Sequence, residues 1–170
     1  MSKSYHGKYR ATVKNNIDPK LTGRLLVEVP DVTGPVVPAS WAEPSFPMAG
    51  VQAGAWMIPP VNAEVWVEFQ QGDPNHPIWT GSLFGSAAEV PAAVLATPPG
   101  VPNIVLQTTG QNSLVISDLP GPTGGIILKS STGALISINA LGITISNGQG
   151  ASITLTGPSV AVNGSALVVT

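Results

Sequence analysis

Pairs of large aliphatic residues, two positions apart, recur through the C-terminal part of the chain at intervals of seven to twelve residues. Glycine, asparagine, serine and proline separate the pairs, as in residues 139–142 and 147–150. Side chains two positions apart point to the same face of a β-strand, so each repeat predicts a short strand with one apolar face, followed by a turn. The pairs are Leu114/Ile116, Ile126/Leu128, Ile136/Ile138, Ile143/Ile145, Ile153/Leu155, Val160/Val162 and Leu167/Val169.

These apolar faces require a surface to pack against. Full burial of an aliphatic side chain stabilises a fold by roughly 1.5–3 kcal/mol, but a thin meander of one chain has nothing to bury these residues against. Three copies wrapped around a common axis close one another's cores, so the pattern favours an intertwined trimeric β-helix or β-prism. A monomeric β-solenoid or sandwich is the open alternative, although its repeats would be more regular in length. Ser137, Thr144, Ser146, Thr154 and Thr156 alternate with the apolar residues and suit a water-facing side.

Charge is concentrated in the first half of the chain. Charged residues make up 9% of the 170 positions, against roughly 25% in an average soluble domain, and only Asp118 and Lys129 lie beyond residue 90. The four prolines of residues 87–102 predict an extended connector rather than a helix. We therefore expect an all-β chain with a barrel domain (residues 1–86), a Pro-rich connector (87–102) and a needle (103–170).

The first half reads as a small β-barrel. Alternating β-branched and aromatic residues, bounded by turn formers, predict strands at Tyr9–Lys14, Gly23–Pro30, Glu64–Gln70 and Pro77–Phe84. Asp18-Pro19 presets a turn, and Gly72 to Asn75 lie between two of the strands. A barrel of about five strands removes the unpaired edges of such a small sheet.

Residues 7 to 84 also carry a specific set of motifs. The set comprises Gly7-Lys8-Tyr9, residues 11–15, Asp18-Pro19, residues 23–30, Trp41-Ala42, Gly50, Gly54, Pro59-Pro60, residues 64–69 and QGDPNHPIWTG at 71–81. Together they resemble the OB-fold domain of phage baseplate spike proteins, including the baseplate assembly protein V type, and of the VgrG proteins of type VI secretion. One departure is Asn62-Ala63, where the family more often contains glycine.

The resemblance implies a non-enzymatic, mechanical function. In the family the barrel sits at the base of a trimeric needle, so we expect a homotrimeric spike of a contractile phage tail or related injection system that pierces the target envelope when the sheath contracts. Some phage spikes carry a lysozyme domain between barrel and needle, where this chain has only the short connector. VgrG proteins carry hub domains before the barrel, so we expect a separate hub or tube protein to dock on the barrel side.

The few ionisable residues form no convincing catalytic or metal-binding pattern. Glu64 and Glu68 share one face of a strand, but carboxylates on a solvated strand are common, and the resemblance gives these two no catalytic role. His6 and His76 are the only histidines; a hydrogen bond of His76 within its loop, close to Asp73, is the preferred interpretation. We therefore expect no enzyme activity, no cofactor and no bound metal.

Two other functions remain as alternatives. Six of the seven basic residues lie in the first 24 positions, where Tyr5 and Tyr9 interleave with them, a pattern that single-stranded nucleic acid can use. The acidic residues on later strands oppose such a track, so we expect no nucleic acid and prefer docking onto a partner protein. A polysaccharide-degrading trimeric tail spike is disfavoured because the needle has one carboxylate, whereas glycoside hydrolysis needs two.

The last residues of the chain predict a partner at the tip. Leu167, Val168, Val169 and Thr170 include no metal ligand and leave apolar side chains and backbone groups without a cap, so we expect a separate tip protein of the PAAR-repeat family there. The first residues, MSKSYHGKYR, lack the apolar stretch of a secretory signal. We expect assembly in the producer's cytoplasm, incorporation into a virion or tail-like particle, and transient contact with the target membrane.

Overall fold

The computed structural model describes residues 3–34, 40–164 and 166–169, and the side chains of Thr33 and Val168 are not described. The chain divides into two compact units, Met1–Glu89 and Val90–Thr170. The first unit contains β1 (Tyr9–Asn15), β2 (Leu25–Glu28), α1 (Pro30–Thr33), β3 (Ser40–Pro44), β4 (Ala49–Gly50), β5 (Ala53–Gly54), β6 (Glu64–Phe69) and β7 (Pro77–Leu83), with 3₁₀ turns at Gln70–Gly72 and Ala87–Glu89.

The first unit is a closed five-stranded barrel in the order β1-β2-β3-β7-β6, as the sequence predicts. All neighbouring strands are antiparallel except β3 and β7, which are parallel. The four predicted strands are confirmed to within two residues at each end, whereas β3 is missed. Its sequence, SWAEP, is short and ends in proline, so it lacks the alternation that marks the other strands.

The barrel core follows from the two-residue periodicity of its strands. The buried residues alternate along β1, β2 and β6 and are mostly valine, and Trp79 of β7 closes the core. The indole Nε1–H of Trp79 donates a hydrogen bond of 3.0 Å to the carbonyl of Gly23. Gly23 has a φ of 87°, and a Cβ there would lie 2.7 Å from the Phe46 ring, so only glycine fits.

The left-handed backbone before β6 is formed without glycine. Asn62 has a φ of 71°, a conformation that asparagine tolerates better than most residues. Its N–H donates to the carbonyl of Val13 at 2.9 Å. The departure at Asn62-Ala63 therefore leaves the turn intact.

The second unit is one antiparallel sheet of eight strands, each paired with the next along the chain. No second layer covers it within the described ranges, so one chain forms neither the solenoid nor the sandwich that stood as the alternative. Its strands are β8 (Asn103–Gln107), β9 (Ser113–Ser117), β10 (Gly125–Lys129), β11 (Leu135–Asn139), β12 (Gly142–Ser146), β13 (Ser152–Thr156), β14 (Ser159–Val162) and β15 (Leu167–Val169).

The expectation of an extended connector without a helix is wrong in part. A four-residue helix, α2 (Ala92–Leu95), follows the 3₁₀ turn at Ala87–Glu89. Pro91 stands at its N-cap, just before the first helical turn, where a missing N–H costs nothing. Prolines 98 and 99 then end the helical segment within a few residues. In the part of the chain that the structure describes, no helix has the length and apolar content needed to cross a membrane.

Candidate trimerisation surface

The register of the eight-stranded sheet aligns the aliphatic pairs of all its strands. Cross-strand partners form two unbroken rows, each with one residue from every strand, and both rows lie on one side of the sheet, here called the apolar face. The first row is Leu106, Leu114, Leu128, Ile136, Ile145, Ile153, Val162 and Leu167. The second row is Ile104, Ile116, Ile126, Ile138, Ile143, Leu155, Val160 and Val169.

The apolar face is open in the single chain. Its aliphatic side chains are exposed over 36% to 59% of their surface, apart from Leu114, Ile143 and Val162, which are half-buried. Every fully buried hydrophobic residue among those described belongs to the barrel instead. A contiguous apolar surface of this extent marks an interaction site. The second unit therefore lacks a core of its own and presents one side of a core.

All fourteen residues predicted for the needle interior lie on this face, and the sequence interpretation missed two more. Ile104 and Leu106 of β8 continue both rows, and the same two-residue spacing was visible in the sequence directly after Pro102. Of the residues predicted at the tip, Leu167 and Val169 lie on β15 with more than half of their surface exposed. Val168 lies in the same strand, and Thr170 falls outside the described residues.

The opposite side of the sheet changes character along the chain. Its central row begins with Val105, Val115 and Ile127 and continues with Ser137, Thr144 and Thr154. The hydroxyl side chains expected there occupy this row on β11 to β13, whereas β8 to β10 and Ala161 of β14 contribute apolar residues to it. The expectation of a hydroxyl-bearing side rests on residues of β11 to β13 alone, which explains the difference.

Asparagine side chains connect successive turns of the sheet. The Oδ1 of Asn112 accepts the N–H of Ser131 at 3.1 Å, and that of Asn163 accepts the N–H of Ser152 at 2.9 Å. At the opposite ends of the strands, the Nδ2 of Asn139 donates to the carbonyl of Pro122 at 3.0 Å. Each bond joins neighbouring hairpins, so backbone and amide contacts fix the register although the single chain has no core here.

The basic residues of the barrel are largely paired. Lys8 lies 2.7 Å from Glu68, Arg10 lies 3.9 Å from Glu64, and Lys14 forms an ion pair with Glu28. Lys3 and Lys20 have no carboxylate partner among the described residues. Carboxylates thus offset the positive charge of Lys8, just before β1, and of Arg10 and Lys14 on β1. The basic surface that oligonucleotide binding would require is weakened accordingly.

Arg24 is held by the most connected carboxylate of the barrel. The buried Asp18 accepts hydrogen bonds from the Nε and Nη2 of Arg24, from the backbone N–H groups of Lys20, Thr22 and Arg24, and from the Thr22 hydroxyl. The guanidinium carbon lies 5.1 Å from the centre of the Trp41 ring. The Arg24 guanidinium, ahead of the backbone donors, keeps the pKa of Asp18 well below its usual range, although desolvation opposes it.

Four carboxylate and imidazole groups of the barrel form structural contacts. Glu64 and Glu68 face the same side of β6, as expected, where Glu64 lies 3.9 Å from Arg10 of β1 and Glu68 pairs with Lys8 just before β1. The Nδ1 of His76 lies 3.1 Å from Asp73, in agreement with a hydrogen-bonded loop histidine. The pKa of Asp73 is lowered, mainly by the backbone N–H of Asn75. Nowhere in residues 3–34, 40–164 or 166–169 do three His, Cys, Asp or Glu side chains assemble in a way that could hold a metal ion.

Comparison with known proteins assigns both units. Residues 9–84 match the family model described as the type VI secretion system/phage-baseplate injector OB domain. Residues 103–168 match the phage baseplate V C-terminal trimerisation domain, which supports a homotrimer. Both families are structural domains, and no curated protein matches the chain. The chain therefore belongs to the spike family of phage baseplates and type VI secretion systems, and it is a structural baseplate protein with an OB barrel followed by a trimerisation domain.

Proposed function

We propose that the chain is the puncturing spike of a contractile tail or tail-like injection particle. Three copies pack their apolar faces around one axis and form a β-prism or intertwined β-helix. This needle extends below the tube, concentrates the force of sheath contraction on a narrow tip and leads the penetration of the target envelope. Its role is mechanical, and no catalytic step is part of it.

The apolar face is the observation that supports this proposal most strongly. Burial contributes roughly 25 cal/mol per Å² of apolar surface, and most of these aliphatic residues are 36% to 59% exposed in the single chain. Three identical faces packed together remove this surface from water without any further protein. The register keeps the two rows continuous from β8 to β15, so each layer of the prism contains the same strand of all three copies.

The surface chemistry of the second unit supports a penetrating needle. Between Ser130 and Thr170 the sequence contains no charged residue. Every ion that enters an apolar phase carries a desolvation cost of several kcal/mol. An outer surface without charge over this range therefore lowers the cost of passing through a membrane. Antiparallel hydrogen bonds along the full length of the sheet provide stiffness.

Two partners belong to the same proposal. A hub or tube protein docks on the barrel and carries the load, and a tip protein, for which the PAAR-repeat family is the candidate class, covers the free edge of β15 around Leu167 and Val169. The strand edge at β15 has unpaired backbone groups among the described residues, and such edges recruit a partner. Titration of the purified trimer with candidate tip proteins tests the second contact, and absence of binding at micromolar concentration contradicts it.

Sedimentation and electron microscopy on one tagged protein test the proposal. An epitope inserted at the exposed turn next to Gln149 leaves the apolar face untouched. We expect a trimeric mass in solution and, in assembled particles, gold label at the distal end of the tube. A monomeric or dimeric mass contradicts the needle, and label elsewhere on the particle contradicts the position at the tip.

A further inference from the structure

The barrel carries an exposed apolar segment between two of its strands. Residues 45–62, here called the barrel hairpin segment, connect β3 to β6 and include the short strands β4 and β5. Val51 at the hairpin tip is 97% exposed, and Met48, Trp56 and Met57 are each more than half exposed. Exposed apolar side chains concentrated on one short connecting segment are typical of an interface.

The barrel hairpin segment is anchored rigidly to the barrel. The Phe46 ring packs edge-on against the buried Trp79 at 5.5 Å, and Trp56 packs on the outer side of Phe46 at 5.4 Å. The Asn16 side chain donates to the carbonyl of Pro59 at 3.0 Å. An aromatic ladder thus runs from the core to the exposed indole of Trp56. Because the segment is already ordered, a partner that binds it has little conformational entropy to remove.

The loop beside the segment exposes further apolar side chains. Gly23 lies against the Trp56 ring, and the loop that leads to it exposes Ile17 over 75% and Leu21 over 84% of their surface. Leu21 adopts a φ of 55°, which is unusual for a leucine and turns the chain at this point. Tryptophan and methionine are enriched at interface centres, and charged residues are depleted there.

The charge pattern favours a second copy of the same chain as the occupant. No charged residue lies between Glu43 and Glu64, the longest uncharged stretch of the barrel unit. At a threefold axis each side chain faces its own copies, so any charge there is repelled by two equal charges. The trimerisation domain follows the same rule, since Asp118 and Lys129 are its only charged residues and neither belongs to the two rows of the apolar face. The barrel hairpin segment thus shares its lack of charge with the apolar face of the trimerisation domain.

We infer that the barrel hairpin segment is a second trimer contact, at which the barrels of three copies meet through Val51, Trp56 and Met57. This inference rests on the homotrimer of the proposed function. Tethering by the trimerisation domain raises the effective concentration of the barrels to the order of millimolar. A contact too weak to assemble free barrels therefore forms within the trimer, and it holds the broad end of the spike together.

Cysteine labelling tests this contact directly, because the chain has no cysteine of its own. Variants Val51→Cys and Met57→Cys each place one thiol in the patch, and Ser82→Cys places one on an exposed position of β7 as the matched control. The rate of reaction with a maleimide is measured on the purified full-length trimer and divided by the rate in denaturant. We expect both patch thiols to react at least tenfold more slowly than the control.

The outcomes separate this inference from the proposed function. A trimeric mass with both patch thiols as reactive as Ser82→Cys overturns the barrel contact and leaves the needle standing. A monomeric mass overturns both. A patch that is covered only after a different protein is added also overturns the inference, because its occupant is then not a second copy. Disulfide-linked dimers of Val51→Cys under mild oxidation support it, since they place the hairpin tips of two copies within reach of one another.

Discussion

At the scale of single residues, Asp18 shows how one carboxylate organises a loop. It accepts hydrogen bonds from three backbone N–H groups, one hydroxyl and the Arg24 guanidinium, all within the segment that joins β1 to β2. The Arg24 guanidinium in turn stacks on Trp41 of β3. Asp18 therefore connects the first loop to the third strand of the barrel through a single charged neighbour.

Asp18→Asn is expected to lower the thermal midpoint of the barrel by several degrees at neutral pH, because an amide cannot accept all of these donors and leaves Arg24 without its counter-charge. The folded-state pKa of Asp18 lies below its unfolded value of about 3.9. Its stabilisation is fully present above that value and is lost as the pH falls toward the folded pKa. The difference in thermal midpoint between wild type and Asp18→Asn should therefore be smaller at pH 3 than at pH 7.

Tryptophan fluorescence measures this effect on the barrel alone, since all four tryptophans lie between Trp41 and Trp79. Asp31→Asn is the matched control, because Asp31 is exposed and makes no hydrogen bond or ion pair with another described residue. It should shift the midpoint little at either pH. If the midpoint of Asp18→Asn differs from that of wild type by the same amount at pH 7 and pH 3, the ionised Asp18 carboxylate is not the source of the stabilisation.

Sequence reasoning found the position of Asp18 but not its role. Asp18-Pro19 predicts a turn from local propensity, whereas the contact with Arg24 depends on how the loop folds back, and Trp41 comes from a strand that periodicity did not reveal. His76 and Glu68 were assigned correctly to a loop and a strand face because their surroundings are local in sequence. Residue contacts are thus predictable where they span one hairpin, and much less so where they cross the barrel.

At the scale of elements, strand register determines what the second unit can do. A shift of one residue in any hairpin moves its aliphatic pair to the other side of the sheet and interrupts both rows. The two-residue spacing predicted this arrangement because side-chain direction in a strand is fixed by parity alone. It did not predict α2, whose four residues form despite the surrounding prolines.

Ile136→Asp is expected to prevent trimer formation, whereas Ser137→Asp, its neighbour on the opposite side of β11, should be tolerated. In the trimer the first change places three carboxylates in an apolar interior, where each unpaired ion costs several kcal/mol. The second places them on the side that carries serine and threonine. Sedimentation velocity compares the two variants at equal concentration, and a stable trimer of Ile136→Asp would show that the apolar face is not the interface.

At the scale of the whole molecule, the two units derive their stability from different sources. The barrel has its own loop contacts and its own core, with ten buried hydrophobic residues among those that the structure describes. The sheet of the second unit has none among the described residues and depends on its copies. The family assignment agrees with this division, since its two matched domains, residues 9–84 and 103–168, coincide with a unit that closes on itself and a unit that trimerises.

Two separate unfolding transitions are therefore expected for the full-length protein. Unfolding of the barrel occurs within an intact trimer, so its midpoint should not depend on protein concentration, even if the barrels touch one another. Unfolding of the needle is coupled to dissociation, so by mass action its midpoint should rise with concentration. Tryptophan fluorescence follows the first transition and far-ultraviolet circular dichroism follows both. Asp18→Asn should shift the barrel transition alone. If both signals instead show a single transition whose midpoint rises with protein concentration, the barrel, too, is stable only as part of the trimer.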